Sequence, residues 1–231
     1  MRALAWFLGA ILLAGLIGAL IAYPAYELTS SFAPWAFHRV AGRVAMLLLA
    51  AELVWLCRHL NLTRKGDFGY GLPWRRFLAV SLAWGAAGIA TAGVGAGFLL
   101  ATHLRIVSPD FAPTAWNFAR IFGIGVLSGI AVALIEETVM RGAMHTAIER
   151  ESGPWMAALL TAPLFAVLHF TAKARIAPED VGWGSGFDLL LRSFSPLSEP
   201  SLVFDSFLSW LIVGLILSLT RVLTGNIAVA I

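Results

Sequence analysis

The sequence predicts an all-α fold: a polytopic transmembrane helical bundle of about six full spans plus the start of a seventh. Three observations predict it. Of 231 residues, 59% are hydrophobic and 13% charged, whereas an ordinary soluble domain is about 45–50% apolar and about 25% charged. The apolar residues gather into uncharged runs close to the roughly 20 residues that a helix needs to cross hydrocarbon. Nine Trp and fifteen Phe suit interfacial belts and helix packing. The net charge of +3 is small and scattered, which argues against a nucleic-acid partner. Cys57 is the single cysteine, so the chain has no disulfide framework and no CxxC metal site.

The first span runs from Ala3 to Tyr23 without a charge, with Trp6 and Tyr23 near its ends. Arg2 resembles the n-region of a signal peptide, but the apolar run exceeds the usual 7–15 residues of an h-region, so a retained span is expected. The second covers Val40 to Arg58 and contains Glu52. The third, Phe77 to Thr102, is uncharged and carries Gly85, Gly88, Gly93, Gly95 and Gly97; small residues let helix backbones approach, which suits a helix inside the bundle, and the same glycines equally suit a flexible helix. The fourth begins near Trp116 and runs to about Glu149. The fifth extends from Trp155 to about Ala172 and the sixth from Phe207 to Leu223. Thr224-Gly225-Asn226 then punctuates the chain, and Ile227 to Ile231 reads as a seventh helix cut off as it starts.

Loop charges orient these spans. The loop after the second holds Arg58, Arg64, Lys65, Arg75 and Arg76 against Asp67. The positive-inside rule makes that loop cytoplasmic, and with it the N-terminus, in a multi-pass protein of the cell's inner (plasma) membrane. The loop between the fifth and sixth spans is acidic on balance, with Glu179, Asp180, Asp188, Glu199 and Asp205 against Lys173, Arg175 and Arg192. Within it, Phe187 to Phe194 reads as a short amphipathic helix lying on the outer membrane surface.

The chemistry gathers at Glu136-Glu137-Thr138-Val139-Met140-Arg141, directly after the uncharged run Ile121 to Ile135. Ionisable groups at membrane depth are expensive and persist mainly with partners or a function. Glu137 and Arg141 are four apart with the acid first, the favourable order for a helical ion pair. That pair accounts for Glu137. Glu136, about 100° round the helix, is the candidate functional carboxylate.

A second polar group, His169, ends the run Phe165-Ala166-Val167-Leu168-His169 on the fifth span. The fourth and fifth spans are joined by a charged turn with Gly153-Pro154 as punctuation. Glu136 lies 16 residues before Ser152 and His169 lies 16 after Gly153, so an antiparallel α-hairpin carries both about 24 Å from the turn. A carboxylate facing an imidazole can polarise a water, directly or through a metal. His145, nine residues from Glu136, falls on the opposite face. His38, His59 and His103 sit near membrane boundaries. HExxH and GxSxG are both absent, which leaves the zincin and serine readings unsupported.

With these residues the chain resembles the CPBP family of intramembrane proteases, which includes CAAX prenyl-protein endopeptidases and bacteriocin-processing or immunity relatives. Glu136, Glu137 and Arg141 match that family's Glu-Glu-x-x-x-Arg motif, and Phe165 and His169 match its Phe-x-x-x-His motif on the next helix. The resemblance covers roughly Trp116 to Ile231 and implies a protease core over 115–231, preceded by the N-terminal transmembrane helices of 1–114, a compatible set of spans. It further implies hydrolysis of peptide bonds in membrane-associated protein or peptide substrates within the lipid bilayer. Glu136 would activate water with His169 cooperating, and Glu137, Arg141 and Phe165 would support the site. The resemblance leaves open whether the glutamate acts alone or through a zinc ion held by Glu136 and His169.

One departure stands out. The family's later motif, His or Phe followed four residues on by Asn or Asp, has no counterpart: Cys57, Pro113 and Val222 precede Asn61, Asn117 and Asn226 at that spacing. The core therefore reads as truncated at its C-terminus or as lacking this group, and losing an oxyanion donor typically slows turnover about 10²–10³-fold. The alternative is a non-catalytic membrane scaffold or immunity-type protein retaining the fold, in which Glu136 and His169 are sealed by full pairing rather than opened to a polar cavity. A transporter would show inverted repeats, and the sequence shows no convincing one.

Overall fold

A computed structural model describes residues 1–32, 35–108, 111–169 and 174–231. The fold is all-helical as predicted, with no strand among the described residues. The helices are α1 (Arg2–Ser30), α2 (Phe37–His59), α3 (Trp74–Ala101), α4 (Ala115–Glu137), α5 (His145–Ser152), α6 (Pro154–Leu168), α7 (Ser185–Ser193) and α8 (Pro200–Thr224). A π-helical turn, Thr138–Met144, joins α4 to α5. Five helical stretches are long and apolar enough to cross a membrane, the fourth running continuously over Ala115–Ser152. The predicted fifth span, α6, has only 15 residues, about 22 Å at an α-helical rise; the end predicted near Ala172 lies outside the described residues. Ile227 to Ile231 form a single turn, closed by the Ile231 N–H on the Ile227 carbonyl at 3.2 Å.

α1 runs past its expected end, through Pro24 to Ser30. Pro24 has no N–H to give the Leu20 carbonyl one turn earlier, an interruption that membrane helices tolerate.

The chain divides into two compact units, Met1–Thr63 with Ala143–Leu219, and Arg64–Gly142 with Thr220–Ile231. In the first, α1 buries Ala3, Phe7, Ala14, Gly18 and Ala22, a stripe recurring at helical spacing. Gly18 brings α2 close, since a Cβ there would meet the Ala45 Cβ at 3.2 Å. Gly153, at φ +85°, and Pro154 at the first position of α6 turn the chain between α5 and α6; positive φ suits glycine, and Pro suits a helix start. Arg150 donates to the Asn61 carbonyl at 3.1 Å, and Glu151 accepts the Ala3 N–H at 3.0 Å. The start of α1 and the ends of α2 and α5 therefore gather at one end of this unit.

Two sequence expectations are corrected here. The amphipathic helix forms, as α7, but its neighbour in the structure is the middle of α1. Leu190 covers Gly15, and Gly186 leaves no room over the Ala19 carbonyl. Its apolar face has found the small-residue face of α1. Gly186→Ala would drive a methyl into the Ala19 backbone, and overpacking of this kind costs about 1–3 kcal/mol. A lowered melting temperature, with α1 and α2 retained by circular dichroism, is the expected result.

The second correction concerns α3. Its only buried residue is Phe77, and a Cβ at Gly85, Gly88, Gly93, Gly95 or Gly97 would meet no described atom within 4 Å. Instead of packing, part of this glycine-rich face borders a cavity of about 770 Å³ together with α4, lined by Trp74, Leu82, Gly88, Phe122, Gly125 and Ile130 among others.

Candidate active site

The first motif lies in the second unit. α4 starts at Thr114, whose hydroxyl accepts the Asn117 N–H at 3.2 Å, a side-chain N-cap. After Arg120 the helix carries no charge until Glu136, which is partly buried, and Glu137, which is buried. Arg141 donates to Glu137 Oε1 at 2.9 Å, both side chains being almost wholly enclosed. The ion pair expected from the i,i+4 spacing is therefore present.

The backbone differs from the expectation. Directly after Glu137 the chain leaves α geometry for seven π-helical residues. A π turn closes i→i+5 hydrogen bonds and is frequent at functional sites. It also advances less per residue than an α-helix, so the α-helical count from Glu136 to Ser152 overstates the rise along the axis. The change of pitch equally alters the nine-residue angular argument applied to His145. That residue is fully buried in the first unit, its Nε2 4.0 Å from Glu149 Oε2.

Around the π turn the second unit supplies side chains that the sequence reading did not single out. The Thr138 hydroxyl donates to the Leu134 carbonyl, so its oxygen accepts from the Tyr70 hydroxyl at 2.6 Å. Arg221, buried near the end of α8, donates through Nε to the Arg141 carbonyl at 3.0 Å. Gly142 allows the Phe68 carbonyl to approach; a Cβ there would stand 2.7 Å from that oxygen. Arg221 carried a usable signal, a lone cation in an apolar run. Tyr70 and Gly142 carried none.

The second motif lies in the first unit. His169 follows α6 as its C-cap. Its Nδ1 is 2.8 Å from the Phe165 carbonyl oxygen. A carbonyl only accepts, so Nδ1 carries the proton, and in the neutral ring Nε2 holds the lone pair. Two aromatics pack on the ring: Trp210 of α8 stacks on it at 4.0 Å between centroids, and Phe165 lies tilted beside it at 4.2 Å. Gly214 makes this possible, since a Cβ there would press on the Ala162 carbonyl at 3.1 Å and on Phe165 at 3.2 Å. One turn further on, the Thr161 and Ser218 hydroxyls meet at 3.2 Å. Trp210 was likewise not anticipated from sequence.

Among the described residues, no three His, Cys, Asp or Glu side chains gather into a metal-binding group. Catalytic zinc takes three protein ligands. The donors described here do not form that set, so no step is derived through a metal.

No curated protein and no solved structure matches the chain. Residues 116–231 match the family model described as type II CAAX prenyl endopeptidase Rce1-like, which covers both motifs, the π turn, and the Trp210 and Arg221 contacts. The chain therefore belongs to the Rce1-like type II CAAX prenyl endopeptidases, a family of membrane proteases.

Proposed function

We propose that this chain is an intramembrane endopeptidase that hydrolyses peptide bonds of membrane-associated substrates with water activated by Glu136 and His169. Residues 115–231 form the protease core, and 1–114 supply N-terminal transmembrane helices. The observation that carries this reading is the division between the two acids. Glu137 is enclosed and held by Arg141, whereas Glu136, one residue earlier and partly exposed, turns to another face in a family that hydrolyses peptides.

In this mechanism Glu136 takes a proton from water as the oxygen attacks the scissile carbonyl, then returns it to the leaving nitrogen. His169 presents Nε2 as an acceptor for the water's other proton and so fixes its orientation. Trp210 stacks on one face of the ring and Phe165 packs beside it, and together they hold its orientation. Glu137 and Arg141 set the position of the π turn that directly follows Glu136. By the positive-inside rule the basic loop at 58–76, and with it the N-terminus, lies on the cytoplasmic side of the inner membrane in this reading.

The test is cleavage of a panel of membrane-presented peptides, prenylated C-termini included, by the purified chain and by Glu136→Gln. Loss of cleavage in the variant supports the reading. A folded parent that cleaves nothing in the panel overturns it in favour of a non-catalytic scaffold. In the same assay, dialysis against a chelator is expected to leave the rate within about twofold, because a catalytic ion would need a third protein ligand. A loss restored by zinc would replace the metal-free step.

A further inference from the structure

We propose that Tyr70 and Arg221 are positioning residues that hold the π turn Thr138–Met144 and thereby aim the carboxylates of Glu136 and Glu137. This rests on the reading of those acids as the site's carboxylates.

The inference starts from the backbone. A π turn fits one more residue into a turn than an α-helix does, so its relaxation to α geometry would rotate everything before it by about 100° relative to everything after it. Glu136 and Glu137 are the last two residues before that turn. Whatever holds the π geometry therefore determines which way they face.

Three points on the turn are held. At its first residue, Thr138 accepts the Tyr70 hydroxyl while donating to Leu134. In its middle, the Arg141 carbonyl accepts Arg221 Nε. Beside that, the Phe68 carbonyl packs over Gly142. Tyr70 and Phe68 belong to one short segment of the loop between α2 and α3, and the Arg221 guanidinium reaches that segment too, at the Gly66 carbonyl, 3.4 Å away.

The segment is itself pinned. Gly69 takes φ +80°, where glycine is preferred, and its carbonyl accepts the Ile227 N–H at 3.1 Å. Asp67 closes the start of the segment by accepting the Arg64 N–H at 2.9 Å. A loop segment held at both ends thus contacts the turn directly after the two acids. The Tyr70 ring packs on Phe77 independently of its hydroxyl, 5.2 Å between centroids, so the hydroxyl can be removed without removing the side chain's packing.

The experiment combines Tyr70→Phe, Thr138→Val and the double variant with Arg221→Gln and Arg221→Lys. Hydrogen exchange over 138–144 and steady-state cleavage are measured for each. Exchange across the turn is expected to rise about tenfold or more in Tyr70→Phe, as a local opening with the rest of the bundle protected. Cleavage should lose about ten- to a hundredfold in kcat, as small misplacements of catalytic groups do, with KM within about twofold. The double variant should be no worse than about twofold beyond either single one, the signature of one shared contact. Arg221→Lys, which keeps a donor, should recover most of what Arg221→Gln loses. Unchanged exchange across the turn in both Tyr70→Phe and Arg221→Gln would overturn the proposal, as would single-variant effects that multiply. If Glu136→Gln cleaves as well as the parent, the functional reading fails, while the exchange measurements still decide whether the turn is held this way.

Discussion

Glu136→Gln is expected to lower kcat/KM by about 10³-fold, roughly 4 kcal/mol of transition-state stabilisation, with the bundle still folded. Glutamine keeps the volume and the acceptor oxygen of the side chain but cannot take a proton from water. Because Glu136 is only partly buried and Arg141 keeps its ion pair with Glu137, the melting temperature should stay within a few degrees of the parent. Glu137→Gln provides the contrast. It weakens an enclosed ion pair with Arg141, so its first effect should be on stability, and its rate loss should follow from displacement of the π turn. Steady-state cleavage and thermal unfolding of both variants separate the two cases. A Glu136→Gln protein retaining more than a tenth of parental activity would remove that carboxylate from the reaction. A stable, inactive Glu137→Gln would reverse the roles of the two acids.

This contrast shows which features were legible in the sequence. Ion-pair spacing is a local property of helices, so Glu137 and Arg141 could be matched from i,i+4 alone. The spans were readable for a similar reason, since an uncharged run such as Phe77 to Thr102 has few other stable options. The π turn was not readable. Nothing in Thr138–Met144 demands it, and its holding contacts come from Tyr70, Phe68 and Arg221, which are distant in sequence. α7 fails in the same way. Its amphipathic pattern announces a helix with one apolar face but does not say whether lipid or another helix covers it. The deciding fact is that glycine at 186 meets alanine at 19, a pairing between two elements. The α3 glycines show the converse: small residues permit close approach without requiring it.

Arg141→Leu should be the most destabilising single change of those considered. Arg141 is completely enclosed, and Glu137 nearly so, so solvent contributes little to either charge and salt should screen the pair only weakly. Removing one member of a buried pair leaves the other charged and enclosed, which typically costs about 3–5 kcal/mol. For a chain of this size that corresponds to a fall of roughly 6–20 °C in melting temperature. The carbonyl of residue 141 survives the substitution, so the Arg221 contact to it should persist, and the loss should be traceable to the stranded Glu137. A compensating variant tests that directly. Glu137→Leu combined with Arg141→Met removes both charges and retains much of the apolar volume, and such replacements of buried pairs are often neutral or stabilising. The double variant should therefore recover most of the melting temperature lost in Arg141→Leu. Recovery of stability without recovery of cleavage would mark the pair as a device for aiming Glu136 rather than for holding the bundle together. A double variant as unstable as Arg141→Leu would mean that the guanidinium is needed for something other than neutralising Glu137.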